Sequence, residues 1–191
     1  MQKEYHKIIL ITAPSGSGKT SIVKYLMKKF PSLAFSVSAT TRPPRDNEKD
    51  GKDYYFLSEA DFKQKMKKKE FLEWEMVYEG KYYGTLKSEM SRIWEEGKVP
   101  VLDIDVQGAI HVQQQYPVNT MTLFIQAPSL AELKRRLQSR GSETEETLKD
   151  RLSKSVYEMS FKDQFENIII NDNFDEACKG AEKVIHSFLN K

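Results

Sequence analysis

Apolar residues in this chain recur with two periods. Residues 7–13 hold the unbroken run Ile8-Ile9-Leu10-Ile11, apolar on both faces, which predicts a strand inside a parallel sheet. Ile22, Val23, Leu26 and Phe30 follow at helical spacing, and Pro31 closes that segment. Further strands are expected at residues 99–105, ending on two aspartates, at 121–126 and at 168–170. Leu130, Leu133 and Leu137 mark one helix. Leu148, Leu152, Val156 and Met159 mark a second, and Phe174, Ala177, Cys178, Ala181, Val184, Ile185 and Phe188 a third. Strands alternating with helices predict an α/β fold, a parallel sheet with helices on both faces.

Residues 35–96 break this rhythm. They carry Pro43-Pro44, dense charge, short aromatic strands at 53–57 and 71–78, and a helix marked by Leu86, Met90, Ile93 and Trp94. The stretch reads as a small α/β lobe inserted into the fold. Residues 128–155, rich in Arg and Glu, read as a helical lid, which leaves 1–34, 97–127 and 156–191 as the core. A length of 191 residues fits one domain, 1–191, and no internal repeat or low-complexity linker divides it. The run Lys63, Lys65, Lys67, Lys68, Lys69 has the composition of a nucleic-acid patch. Phe62 and Met66, with the flanking Glu59, Asp61 and Glu70, predict a solvent-facing helix instead. Trp74 and Trp94 are expected in the core.

Composition removes several classes. Thirty basic residues against 28 acidic leave a net charge of +2, too balanced for a dedicated nucleic-acid binder. The run Ile8 to Ile11 is far short of the ~20 residues a membrane helix needs, and too short for the core of a signal peptide. The sequence has 1 cysteine, Cys178, and no Cys/His cluster at zinc spacing, so a reducing, cytoplasmic compartment is expected. His6, His111 and His186 have no catalytic setting and read as structural or exposed.

The chemistry begins at Ala13-Pro14-Ser15-Gly16-Ser17-Gly18-Lys19-Thr20. The string matches G-x-x-x-x-G-K-[ST] everywhere but the first position, and it lies between a buried strand and a helix, as that motif requires. Successive backbone N–H groups can cradle phosphates, with Gly16 and Gly18 permitting close approach. The helix N-terminus adds its dipole, Lys19 a point charge on the β- and γ-phosphates, and Thr20 a hydroxyl for Mg²⁺. Ala13 is tolerable there if its φ is negative. Asp103 and Asp105, after an apolar strand, have the pattern of carboxylates beside a bound metal, at the strand end where such folds bind ligands.

The inserted lobe must supply the acceptor. Arg42 and Arg45, stiffened by Pro43-Pro44, make a fork suited to a phosphate. Tyrosine hydroxyls in Gly51-Lys52-Asp53-Tyr54-Tyr55-Phe56 and Tyr82-Tyr83-Gly84-Thr85 can complete its shell. Glu73, a carboxylate among aromatics in Phe71-Leu72-Glu73-Trp74, suits a base edge.

With these strings the chain resembles guanylate kinase, of the P-loop nucleoside monophosphate kinases. The resemblance rests on A-P-S-G-S-G-K-T, F-S-V-S-A-T-T-R-P-P-R, G-K-D-Y-Y-F, F-L-E-W, Y-Y-G-T, L-D-I-D-V-Q-G, R-L-Q-S-R-G-S-E-T-E-E and I-I-N-D, in order from about residue 7 to 188. It implies transfer of a phosphoryl group from ATP to GMP, with Mg²⁺ as cofactor and dGMP as a second acceptor. Arg42, Arg45, Tyr54 and Tyr83 would hold the GMP phosphate, and Ser38, Glu73 and Thr85 would read guanine. Asp103 and Asp105 would lie near the metal, through water, and near the acceptor. Arg136, Arg140 and Arg151 would close on the ATP phosphates, and Asn171 would lie on the adenine side. Lys19, Arg42, Arg136, Arg140 and Arg151 would then be catalytic. Departures are Ala13 for the commoner Gly, Ser142 where Thr is usual, and Asn173 where an acidic residue is common.

The implied partners are small nucleotides, with no nucleic acid and no membrane, for a monomer or a homo-oligomer. Two alternatives stay open: a phosphotransferase acting on ribose 1,5-bisphosphate or another nucleoside monophosphate, and a non-catalytic binding module.

Overall fold

The computed structural model describes residues 6–139 and 145–191. In chain order the elements are β1 (Ile8–Thr12), α1 (Lys19–Lys29), β2 (Leu33–Phe35), β3 (Ala39–Thr40), β4 (Tyr55–Phe56), α2 (Glu59–Lys67), β5 (Phe71–Tyr78) and β6 (Lys81–Leu86). They continue with α3 (Lys87–Glu95), β7 (Val99–Asp103), α4 (Val106–Gln115), β8 (Thr120–Gln126), α5 (Leu130–Gln138), α6 (Glu145–Met159), β9 (Asn167–Ile170) and α7 (Phe174–Leu189). Among the described residues no helix is long and apolar enough to cross a membrane.

The strands form a sheet of order β2-β7-β1-β8-β9 and a second of order β4-β3-β6-β5. In the first, β2 pairs with β7 and β8 with β9 in parallel, and every residue of β1 is buried, as an apolar run inside a parallel sheet requires. The second is mixed: β3 runs parallel to β4, and β6 is antiparallel to both β3 and β5. The expected α/β architecture, a parallel sheet flanked by helices beside a small second sheet, is the one observed.

The chain divides into two compact units, the division falling within β1. One takes in the chain up to Ile9 with Ser32–Thr120. Its small core joins Ala39, Phe62, Phe71 and Leu86, with Tyr55, Leu57, Met66 and Tyr82 packed around them. The other takes in Leu10–Pro31 with Met121–Lys191. There Ala127, Leu133 and Leu137 of the α5 region meet Leu148 and Leu152 of α6.

Helix starts follow their caps. Ser58 accepts from Asp61 N–H, Ser129 from Glu132 N–H, and Asn173 from the N–H groups of Asp175 and Glu176. Asn173, the departure noted above, is therefore the cap of α7. On α2, Phe62 is buried while Lys63 pairs with Glu59 and Lys65 with Glu70, so the lysine run is a solvated face.

Three expectations need correction. The strand expected over 99–105 stops at Asp103, because Asp105 accepts from Gly108 N–H and caps α4, a helix not anticipated. The strand expected over 53–57 shrinks to Tyr55–Phe56. Trp74 is not core but 41% exposed: after an irregular start β5 alternates from Glu73 on, and burying Glu73 turns its neighbour outward. Trp94 stacks on His6, their ring centres 4.4 Å apart, and donates to the Lys7 carbonyl.

Candidate functional site

The residues expected to hold the phosphate donor all fall in one unit. The loop from Ala13 to Gly18 links β1 to α1. Gly16 and Gly18 have φ of 89° and 90°, and Lys69 is the one described non-glycine residue with positive φ. Ala13 therefore meets the backbone condition its position imposes. Gly18 is required twice over: its backbone is left-handed, and a Cβ there would stand 2.3 Å from Asn171 Nδ2.

That closeness reflects the work of Asn171. Its side chain is buried and donates from Nδ2 to the Ser17 carbonyl at 2.8 Å. Its own carbonyl accepts from Arg136 at 2.9 Å, and Arg136 is held from the other side by Glu132 at 2.7 Å. Asn171 thus braces the phosphate loop and links it to an arginine of α5. Ser17 Oγ, buried in the loop, makes no hydrogen bond. Pro14 is buried in the same loop and Ser15 half-buried; Lys19 opens α1, and Thr20 beside it is exposed. Arg151 is half-buried on α6. Arg140 and Ser142 lie outside the described residues.

The residues expected to hold the acceptor all fall in the other unit. Glu73 projects from β5 and is only 8% exposed. Its Oε1 accepts from Thr85 Oγ1 on β6 at 2.7 Å. Burial, reinforced by the nearby Asp105 and Glu75 carboxylates and opposed by Thr85, raises its pKa to about 7. Helix α4 supplies the wall beside it. His111 Nδ1 lies 3.1 Å from Glu75, and Gln115 donates to the Leu72 carbonyl, so α4 packs along β5.

A cationic cluster forms from Arg42, Tyr54 and Tyr83. The Arg42 guanidinium lies 4.9 Å from the centre of the Tyr54 ring and 5.7 Å from that of Phe56, and the Tyr54 and Tyr83 rings meet edge-on at 6.1 Å. Burial raises the Tyr54 pKa, the nearby Asp103 carboxylate raises it further, and Arg42 partly offsets both. Arg42 itself is gripped by Glu48 through two bonds of 2.6 Å. That bidentate pair, with the Arg45 backbone N–H at 2.9 Å, holds the Glu48 carboxyl down at about 2. The Arg45 side chain is exposed. Ser38, half-buried, accepts from Tyr55 N–H through its carbonyl at 2.9 Å.

Two positioning carboxylates escaped the sequence reading. Glu48 is one. Glu89 is the other: it is 2% exposed and accepts from Val37 N–H, the Tyr55 hydroxyl and Arg92. It thereby fixes the chain neighbours of Ser38 and Tyr54. Neither has a periodic signal, though both lie within reach of quoted motifs.

The chain resembles known proteins throughout its length. A family model described as guanylate kinase matches residues 5–188. A protein named guanylate kinase from Bacteroides fragilis is 46% identical over 183 residues, covering 96% of this chain and 90% of that one. One from Thermotoga maritima is 42% identical over 181 residues, covering 95% and 86%. The crystal structure of guanylate kinase from Anaplasma phagocytophilum superposes with a TM-score of 0.76 at 26% identity, covering 95% of this chain and 85% of that one.

Proposed function

The chain belongs to the guanylate kinase family, and we propose that it transfers the γ-phosphate of ATP to GMP, and to dGMP, giving ADP and the nucleoside diphosphate. The observation that carries this reading is the buried Glu73 carboxylate bonded to Thr85. Guanine offers N1–H and an exocyclic amine on one edge, and one carboxylate can accept from both. Adenine has a lone pair at N1 and no amine at C2, so it would repel the carboxylate and leave it unpaired. Sites built on such bonds discriminate by ~10⁴-fold or more. A ribose bisphosphate has no base and gives Glu73 nothing to read.

In the reaction a GMP phosphate oxygen attacks the γ-phosphorus, the bond from that phosphorus to the β-bridging oxygen breaks, and ADP leaves. The attacking oxygen is already anionic at neutral pH, so no strong general base is needed. Arg42, Arg45, Tyr54 and Tyr83 hold and orient the acceptor phosphate. Lys19 and the loop N–H groups bind the donor phosphates, while Arg136 and Arg151 offset charge that spreads during transfer. Residues 128–155 act as a lid that excludes water from the donor phosphates, and residues 35–96 as the acceptor lobe.

Thr20 fits Mg²⁺: it is exposed beside the loop and offers a hard oxygen, the donor that ion prefers. When bound with the nucleotide, Mg²⁺ would neutralise phosphate charge. The buried thiol of Cys178 suits a reducing cytoplasm.

The test is ADP release with ATP and Mg²⁺ against GMP, dGMP, AMP, CMP, UMP, TMP and ribose 1,5-bisphosphate. Turnover confined to GMP and dGMP is expected. Turnover with another acceptor refutes the guanine reading, and none at all favours a binding module.

A further inference from the structure

Gly108 stands in the first turn of α4, three residues after the cap Asp105. Its φ is not in the left-handed region, so the backbone itself does not call for glycine, and alanine would favour the helix. The reason for glycine lies opposite. A Cβ at this position would stand 2.8 Å from Glu73 Oε2, 3.3 Å from Glu73 Cδ and 3.3 Å from Asp105 Oδ1. Gly108 N–H also donates to Asp105 Oδ1 at 2.8 Å. The same helix face carries His111, paired with Glu75, and Gln115, bonded to the Leu72 carbonyl. The helix is therefore fastened to β5 and cannot simply withdraw from an added methyl group.

We propose that Gly108 is a specificity-determining positioning residue, its missing side chain being what lets the Glu73 carboxylate lie against α4 in the orientation that reads guanine. The inference rests on the guanine reading above. Glu73 is held on one side by the Thr85 hydroxyl at Oε1, and its Oε2 occupies the space that a side chain at position 108 would need. An alanine at position 108 forces the carboxylate to turn about Cγ–Cδ or to retreat from the helix. Either movement pulls Oε1 off Thr85 and misdirects the lone pairs that would meet N1–H and the amine. The donor-phosphate loop lies in the other unit and does not depend on this contact.

The experiment is steady-state kinetics on full-length wild type, G108A and the double variant E73D/G108A, with GMP, IMP and ATP varied in turn. IMP keeps N1–H but lacks the amine. G108A is expected to raise the KM for GMP by about tenfold to a hundredfold, to lower the preference for GMP over IMP, and to leave the KM for ATP within about twofold. A general loss of folded enzyme would lower kcat and spare the preference. The double variant retracts the carboxylate by one methylene, clear of the added methyl group, and is expected to regain the stability that G108A loses in urea unfolding but not the GMP preference. An unchanged KM for GMP in G108A overturns the proposal, as does a double variant no more stable than the single one. If G108A does not fold, a folded double variant supports the clash with Glu73 and an unfolded one overturns it. Wild type that turns over no GMP removes the guanine reading and this inference together; wild-type turnover with an indifferent G108A removes the inference alone.

Discussion

Glu73→Gln trades stability against recognition, and the structure gives the size of the trade. A carboxyl with an ordinary value of 4.5 titrates at about 7 in the fold. The folded protein thus holds this proton more tightly than the unfolded chain, and the buried carboxylate costs stability wherever the pH lies above the unfolded value. The cost is absent below 4.5, grows between 4.5 and about 7, and is constant above. At 1.36 kcal/mol for each tenfold change it reaches roughly 3 kcal/mol, an upper bound because part of the shift is repulsion from neighbouring carboxylates. Glutamine keeps the shape and can still accept from Thr85 while carrying no charge. Urea unfolding of both proteins at pH 5 and pH 8 measures the difference. A gain below about 1 kcal/mol for the variant at pH 5, rising to about 3 kcal/mol at pH 8, is expected. The same variant should lose GMP turnover by about 10²-fold or more and lose its GMP-over-AMP preference, since the amide presents a donor where guanine also donates. A stability difference independent of pH would refute the placement of a strained carboxylate at this site, and an unchanged GMP/AMP ratio of kcat/KM would refute its role.

Wild-type enzyme should bind GMP less well in acid: below about pH 7 the KM for GMP should climb by nearly tenfold per pH unit as Glu73 protonates, a trend absent from the Gln variant and from the KM for ATP. Lys19→Met should lower kcat by about 10²–10³-fold or more while GMP binding, measured by titration, stays near wild type; near-normal turnover would remove the phosphate-loop assignment. Glu48→Gln, which replaces a bidentate ion pair with a neutral contact, should raise the KM for GMP about tenfold with little change for ATP; equal effects on both substrates would speak against a grip on Arg42 alone.

Much of this architecture was legible because apolar periodicity survives burial. The run at Ile8 to Ile11 could only be an inner strand, and the span 71–78 matches β5 at both ends. Helix α4 was missed for a physical reason. Asp103 and Asp105 read as one strand-end pair, yet the first closes β7 while the second turns back to cap the helix. Chemistry shared by two residues masked a change of element between them. Trp74 was misplaced because aromatic character was weighed above alternation. The roles of Glu48, Glu89 and Asn171 depend on contacts across loops or between distant segments. Asn171 braces a backbone 154 positions away in the chain, and spacing carries no trace of such a bond. Gly108 was visible in the motif L-D-I-D-V-Q-G, but what excludes a side chain there lies on β5.

The grip of Glu48 on Arg42 also bears on how the acceptor phosphate is attracted. Arg42 spends both hydrogens of Nη1 on the Pro43 carbonyl and Glu48, and one of Nη2 on the other Glu48 oxygen. The Nε–H and the other Nη2 hydrogen lie on one edge of the plane, and the Tyr83 and Tyr54 hydroxyls also interact with the guanidinium. On the role proposed for Arg42, an arriving phosphate would meet a cation whose charge Glu48 partly offsets and whose orientation is fixed. Such a site would select by the angle at which an anion can dock, as well as by charge.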